Sequence, residues 1–213
     1  MRIRGINYDA GFISAGTTTR EPFDPQVVKR EMQIIHDDLH CNAVRITGGY
    51  PERLEVAAKY AAEAGLEVWF CPFTNNLTGE ELIELLADSA ERAERLRKQG
   101  AEIVFLTGSE LSLMTLGILP GDTMVERAAG LADPLRVRPL IPGIRVRMKE
   151  LLGKAVQAAR ARFGGKLSYA SVPLDGVDWG SSTSSRRTRA IVPRRWPRAS
   201  ATTYAPMSRK AGR

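Results

Sequence analysis

The chain has 213 residues and a formal charge of +7, a length that allows one domain with or without an appended tail. Hydrophobic residues make up 43% of it, enough for a sizeable core, and no apolar run approaches the roughly 18 residues of a membrane helix. The charge is unevenly spread: residues 180–213 hold nine Lys/Arg and no acid, so the body, residues 1–179, is mildly acidic and the basic character belongs to the end. The opening residues, Met1 to Asp9, enter a strand-like pattern without the apolar segment of a secretion signal, which makes a cytoplasmic location the expectation. Two cysteines, Cys41 and Cys71, are too few for a disulfide framework and are expected to be buried and reduced.

Taken in chain order, short apolar runs alternate with longer amphipathic ones. A first strand is predicted over 2–8. Asp24-Pro25 then supplies an N-cap with proline at the first helical position, and Val27, Val28, Met32, Ile35 and Leu39 recur at helical spacing over 25–39. A second strand over 42–47 leads into a helix over 51–64, which Gly65 is placed to end in a left-handed conformation. A third strand covers 66–73. Thr78-Gly-Glu-Glu81 reads as a capping box for a helix running to about residue 99, where Gly100 stops it. A fourth strand over 102–107 follows. The rhythm then lengthens: Thr123 to Glu126 opens a short helix, 133–143 is rich in proline and glycine, a helix covers 144–163, and a fifth strand covers 166–172.

Five strands separated by helices, with no tight hairpins between them, argue for a parallel sheet. Doubly wound sheets and (β/α)8 barrels both fit that order. The loop after the first strand lacks the Gly-x-Gly-x-x-Gly spacing of a dinucleotide site, and the chain has no phosphate-cradling loop, no nucleophile elbow and no cysteine pair at metal spacing. No cofactor is expected. Polar and aromatic residues gather instead where strands end: Tyr8-Asp9, Arg45 with Thr47, Phe73 to Asn76, Ser109-Glu110, and Tyr169 with Ser171. In a barrel those ends form the catalytic face.

Three other groupings have plainer explanations. His36 and His40, the only histidines, stand four apart as a metal pair would, but no third ligand is evident and the segment reads as a helix C-terminus, so no metal is expected. Trp69, Phe70 and Phe73 could line a sugar platform, although alternate residues of such a strand ordinarily fill a core. The charges of residues 80–98 run from acidic to basic, as a solvated helix face complementing its dipole does.

The strings Leu39 to Thr47 (LHCNAVRIT), Arg4 to Asp9 (RGINYD), Gly65 to Phe73 (GLEVWFCPF) and Thr107 to Ser112 (TGSELS) resemble actinobacterial proteins commonly labelled abortive infection protein. These in turn look like (β/α)8 barrels of the retaining glycoside hydrolase superfamily, and the resemblance covers about residues 1–179. It implies a supporting Arg on the second strand, matched by Arg45, and a general acid/base Glu after the fourth strand, matched by Glu110. Tyr8, Arg45, Trp69 and Tyr169 are then the expected substrate-binding residues around a carbohydrate. The superfamily's Asn before the acid/base is Ser109 here. Its nucleophile Glu after the seventh strand has no counterpart, and a retaining mechanism needs two carboxylates about 5 Å apart. Asp175 and Asp178 follow the fifth strand, on a loop adjacent to Glu110 rather than opposite it.

Residues 180–213 contain ten Ser/Thr and no Leu or Phe. One reading is a disordered basic arm that touches nucleic acid, with Trp196 and Tyr204 as stacking groups; the preferred one is an out-of-frame translation. The expectation is therefore an incomplete (β/α)8 barrel of TIM type, about five units over 1–179, with a disordered basic tail: glycosidase-like, inactive or nearly so. The alternative is a non-catalytic barrel that binds carbohydrate or another macromolecule.

Overall fold

A computed structural model describes residues 3–14 and 16–170; the tail, Asp175 and Asp178 lie outside them. The first strand, β1 (Gly5–Asp9), leads into a small hairpin, β2 (Ile13–Ser14) and β3 (Thr17–Thr18), and then α1 (Pro25–Asp37). Next come β4 (Ala43–Gly48), α2 (Pro51–Glu63), β5 (Glu67–Pro72), α3 (Gly79–Lys98) and β6 (Ile103–Ser109). A helical excursion follows, α4 (Leu111–Met114), α5 (Met124–Leu131), α6 (Pro134–Val137) and a 3-10 turn (Arg138–Leu140), before α7 (Ile141–Arg160) and β7 (Lys166–Ala170).

Helix starts follow their side-chain caps. Asp24 accepts the Gln26 N–H at the head of α1. Thr78 with Glu81 and Thr123 with Glu126 form complete capping boxes on α3 and α5. Gly65 and Gly100 sit at φ +83° and +102° just beyond α2 and α3, a conformation that costs a residue with a Cβ about 1 kcal/mol or more.

The five long strands form one parallel sheet in the order β1-β4-β5-β6-β7. Each strand pairs with the next one in the chain, so the order has no reversal of the kind a doubly wound sheet has at its switch point. Helix α1 packs on α2, α2 on α3 and α3 on α7. Val44, Ile46, Val68, Phe70, Ile103 and Phe105 share one core with Met32, Leu54, Leu86 and Met148 of those helices. Because side chains alternate along a strand, this core takes one face of the sheet, and Arg45, Trp69, Cys71, Val104 and Leu106 take the other. The result is an α/β sheet flanked by helices; no closed barrel is formed by the described residues.

Several boundaries differ from the sequence expectation. The stretch 133–143 is largely helical, because Pro134 and Pro142 stand in first turns, where a missing N–H costs nothing. Helix α1 stops at Asp37 and leaves His40 in the left-handed region at φ 51°. Strand β6 continues to Ser109 through a register shift between Leu106 and Ser109.

Candidate active site

The C-terminal end of β6 is built around two unusual backbone positions. Gly108 has φ +146°, and a Cβ there would stand 2.6 Å from Leu111 Cδ1, so only glycine fits. Two residues on, Glu110 has φ 49° and ψ 40°, the left-handed region that residues with a Cβ rarely enter. A bulge followed by such a turn re-aims the side chain at the strand end, a device common beside active sites. Strand β7 holds this turn by two bonds: Glu110 N–H donates to the Ala170 carbonyl at 3.0 Å and Leu111 N–H donates to the Tyr169 hydroxyl at 3.0 Å. Among the described residues the Glu110 carboxylate has no hydrogen-bond or ion-pair partner.

Arg45 projects from the face opposite the helices. Its Nη2 donates to Ser109 Oγ at 3.0 Å and contacts Cys71 Sγ at 3.3 Å, which ties β4 and β5 to the residue before Glu110. Its Nε is buried with no hydrogen-bond partner. Burial pushes the Cys71 thiol up, with Arg45 opposing, so the group is a neutral thiol at neutral pH. Trp69 stands beside Arg45 in the sheet register and donates its indole N–H to Glu67 Oε1 at 2.9 Å.

The predicted site residues thus divide between two faces. Arg45 and Trp69 share the face that leads to Ser109 and Glu110. Tyr8 lies on the helix-facing side, where its hydroxyl donates to Glu31 Oε2 of α1 at 2.6 Å and its ring lies under the Arg20 guanidinium. Burial and the Glu31 bond raise its pKa well above the phenol range. Burial pushes the Glu31 carboxyl up, but hydrogen bonds from Tyr8 and Arg20 hold it below its ordinary value. This is an anchoring triad for the loop after β1. Tyr169 packs against the same core and reaches Glu110 from beneath, through Leu111; its pKa is pushed up to about 12, mainly by burial, with the Glu110 charge adding.

The aromatic residues read as a platform are likewise split. Phe70 is fully buried against Phe105, whereas Phe73 pairs with Phe12, ring centroids 4.9 Å apart, just before the β2–β3 hairpin. That hairpin is fastened over the ends of β4 and β5. Thr74 donates to the Ile13 carbonyl, Asn75 to Ser14 Oγ, and Ile13 Cδ1 lies 2.8 Å from where a Cβ on Gly49 would be.

Two structural roles escaped the sequence reading. Asp9 organises the loop after β1 by accepting the Gly11 N–H and the Thr19 hydroxyl. Arg127 is fully buried and donates to the carbonyls of Leu113 and Gly121 and to Asn76 Oδ1, clamping α5 over the ends of β5 and β6. An Arg in an amphipathic helix gives no sign of that from spacing. Of the two histidines, His36 pairs with its neighbour Asp37. Among the described residues no group of three His, Cys, Asp or Glu could hold a metal ion.

No protein-family model matches the chain, and no curated protein matches it.

Proposed function

We propose that the chain is the glycoside-hydrolase-like part of a (β/α)8 barrel of the kind the resemblance implies, with Glu110 as the general acid/base and Arg45 and Trp69 beside the sugar. The observation that carries this reading is the strained left-handed turn that presents an unpaired Glu110 carboxylate at the end of the fourth parallel strand, with Arg45 bonded to the residue before it. The sequential strand order and the single helix layer support a barrel-type winding.

Glu110 would protonate the glycosidic oxygen as the bond breaks and take the proton back from water in the second half of the reaction. The partner carboxylate is not among the described residues: Asp9, at the end of β1, is three strands from Glu110, on the order of 14 Å at ordinary strand spacing, and both glycosidase geometries require less. The second reading is a barrel that holds carbohydrate without cleaving it efficiently. The tail as a nucleic-acid arm has no support beyond its charge.

An aryl-glycoside series tests the acid role. A proton donor matters most for poor leaving groups, so Glu110→Gln should lower kcat/KM for phenyl glycosides by about 100-fold and leave kcat/KM for dinitrophenyl glycosides nearly unchanged. Equal effects on both, or none on either, remove Glu110 from the chemistry. Saccharide binding without turnover would establish the second reading.

A further inference from the structure

The helical excursion between β6 and β7 carries a surface that neither the core nor the candidate site uses. From Pro134 to Lys149 the chain has five Arg/Lys and no Asp or Glu. The nearest acids are already engaged: Asp133 caps α6 and pairs with Arg136, Glu126 caps α5, and Glu150 pairs with Lys154. Arg138 and Lys149 are exposed and have no carboxylate partner among the described residues. On α3, by contrast, Arg92, Arg95 and Arg97 each meet a Glu, so that outer face has its charge cancelled and this one does not.

The same stretch shows aliphatic side chains to solvent. Leu135 is 87% exposed, Val146 67% and Leu140 38%. They sit on α6, the 3-10 turn and α7, which touch one another in series. On α7 the residues Ile144, Met148 and Leu151 face the core, which leaves Val146 on the opposite side at 100° per residue, with Lys149 three positions on. On α6 it is Val137 that packs inward, and Leu135 is left outside. A partner for this surface must offer negative charge and, beneath it, an apolar layer that takes separate aliphatic tips. The headgroup and acyl boundary of an anionic bilayer has that layering. Nucleic acid fits less well, because base stacking calls for aromatic rings and residues 134–149 have none. We propose that this surface rests on an anionic membrane, with Leu135, Leu140 and Val146 entering the boundary and Arg138 and Lys149 on the lipid phosphates. It does not depend on the carbohydrate reading.

Flotation of the full chain with phosphatidylglycerol/phosphatidylcholine vesicles, against phosphatidylcholine alone, tests it. The chain should float with the anionic vesicles only. Arg138→Glu with Lys149→Glu should weaken that binding at least about 10-fold, since each cation beside an anionic leaflet contributes roughly 5-fold. Leu135→Ser with Val146→Ser should weaken it by about 10-fold through lost apolar contact. All four side chains are exposed, and the two pairs test the surface independently of each other. No flotation with anionic vesicles, or equal flotation with neutral ones, overturns the proposal. Unchanged binding in either double variant does so too, and assigns the attraction to the basic residues 180–213. Polyglutamate binding that depends on Leu135 and Val146 as strongly as vesicle binding does would make this a protein-docking face and overturn the lipid assignment.

Discussion

Glu110 combines a half-buried carboxylate with a backbone conformation that costs an L-residue about 1–2 kcal/mol. Of the three described non-glycine residues at positive φ, His40, Asn76 and Glu110, Glu110 alone is not of a type enriched there, and strain kept at such a position is the mark of a side chain retained for what it does. Glu110→Gly should therefore raise stability, by about 1 kcal/mol after the added chain entropy of glycine is subtracted, while removing any hydrolysis; urea unfolding reads the first effect. A fall in stability would mean the side chain is structural. The phenols give a second prediction. Tyr8 and Tyr169 have raised pKa values, so both stay protonated as pH climbs past 10, and the stability they contribute is lost only as the unfolded chain ionises between about 10 and 12. Absorbance titration should find the Tyr8 and Tyr169 phenols still un-ionised at pH 11 in the native protein and ionised in urea.

At the scale of elements, α3 is fastened to the turn before β7 by Glu94, which accepts two bonds from Arg97 at 2.8 Å and the Gly164 N–H at 3.0 Å. The Arg97 bonds hold its carboxyl at about 2, against the cost of burial. A depressed carboxyl stabilises above its unfolded pKa, so this contribution is complete at neutral pH and fades as pH falls from about 5 towards 2. Glu94→Gln should cost about 1 kcal/mol at pH 7 and flatten the acid limb of the stability profile; an unaltered limb would assign acid sensitivity elsewhere. The start of this helix was legible in Thr78-Gly-Glu-Glu81, because a capping box is a local pattern with a local cause. The proline-rich stretch 133–143 was not: proline reads as a helix breaker unless it falls in a first turn, and where the first turn falls depends on the packing of α5 and α7. The β2–β3 hairpin was missed for a related reason, since it is pinned by Asp9, Thr74 and Asn75 from outside the segment.

For the molecule as a whole, the alternation of strands and helices was enough to predict a parallel sheet, and strand order then separated sequential winding from the doubly wound alternative. The grouping of Tyr8 with Arg45 could not be separated by spacing, because which face a strand residue takes depends on the register of one strand against the next. Among the described residues β1 and β7 each leave an edge unpaired, and Ile6 of β1 is 41% exposed. Open parallel edges invite further strands, so the chain should self-associate; a monomeric elution volume with a cooperative thermal transition would contradict that. The central claim is that carbohydrate lies on the sheet face carrying Arg45 and Trp69, below Glu110, and the three tryptophans test it most directly by their indole N–H resonances during titration with a disaccharide. The account predicts that the Trp69 signal moves, saturably and only while Arg45 is intact. A Trp69 signal that stays fixed while those of Trp179 or Trp196 move, or no movement at all, would contradict it.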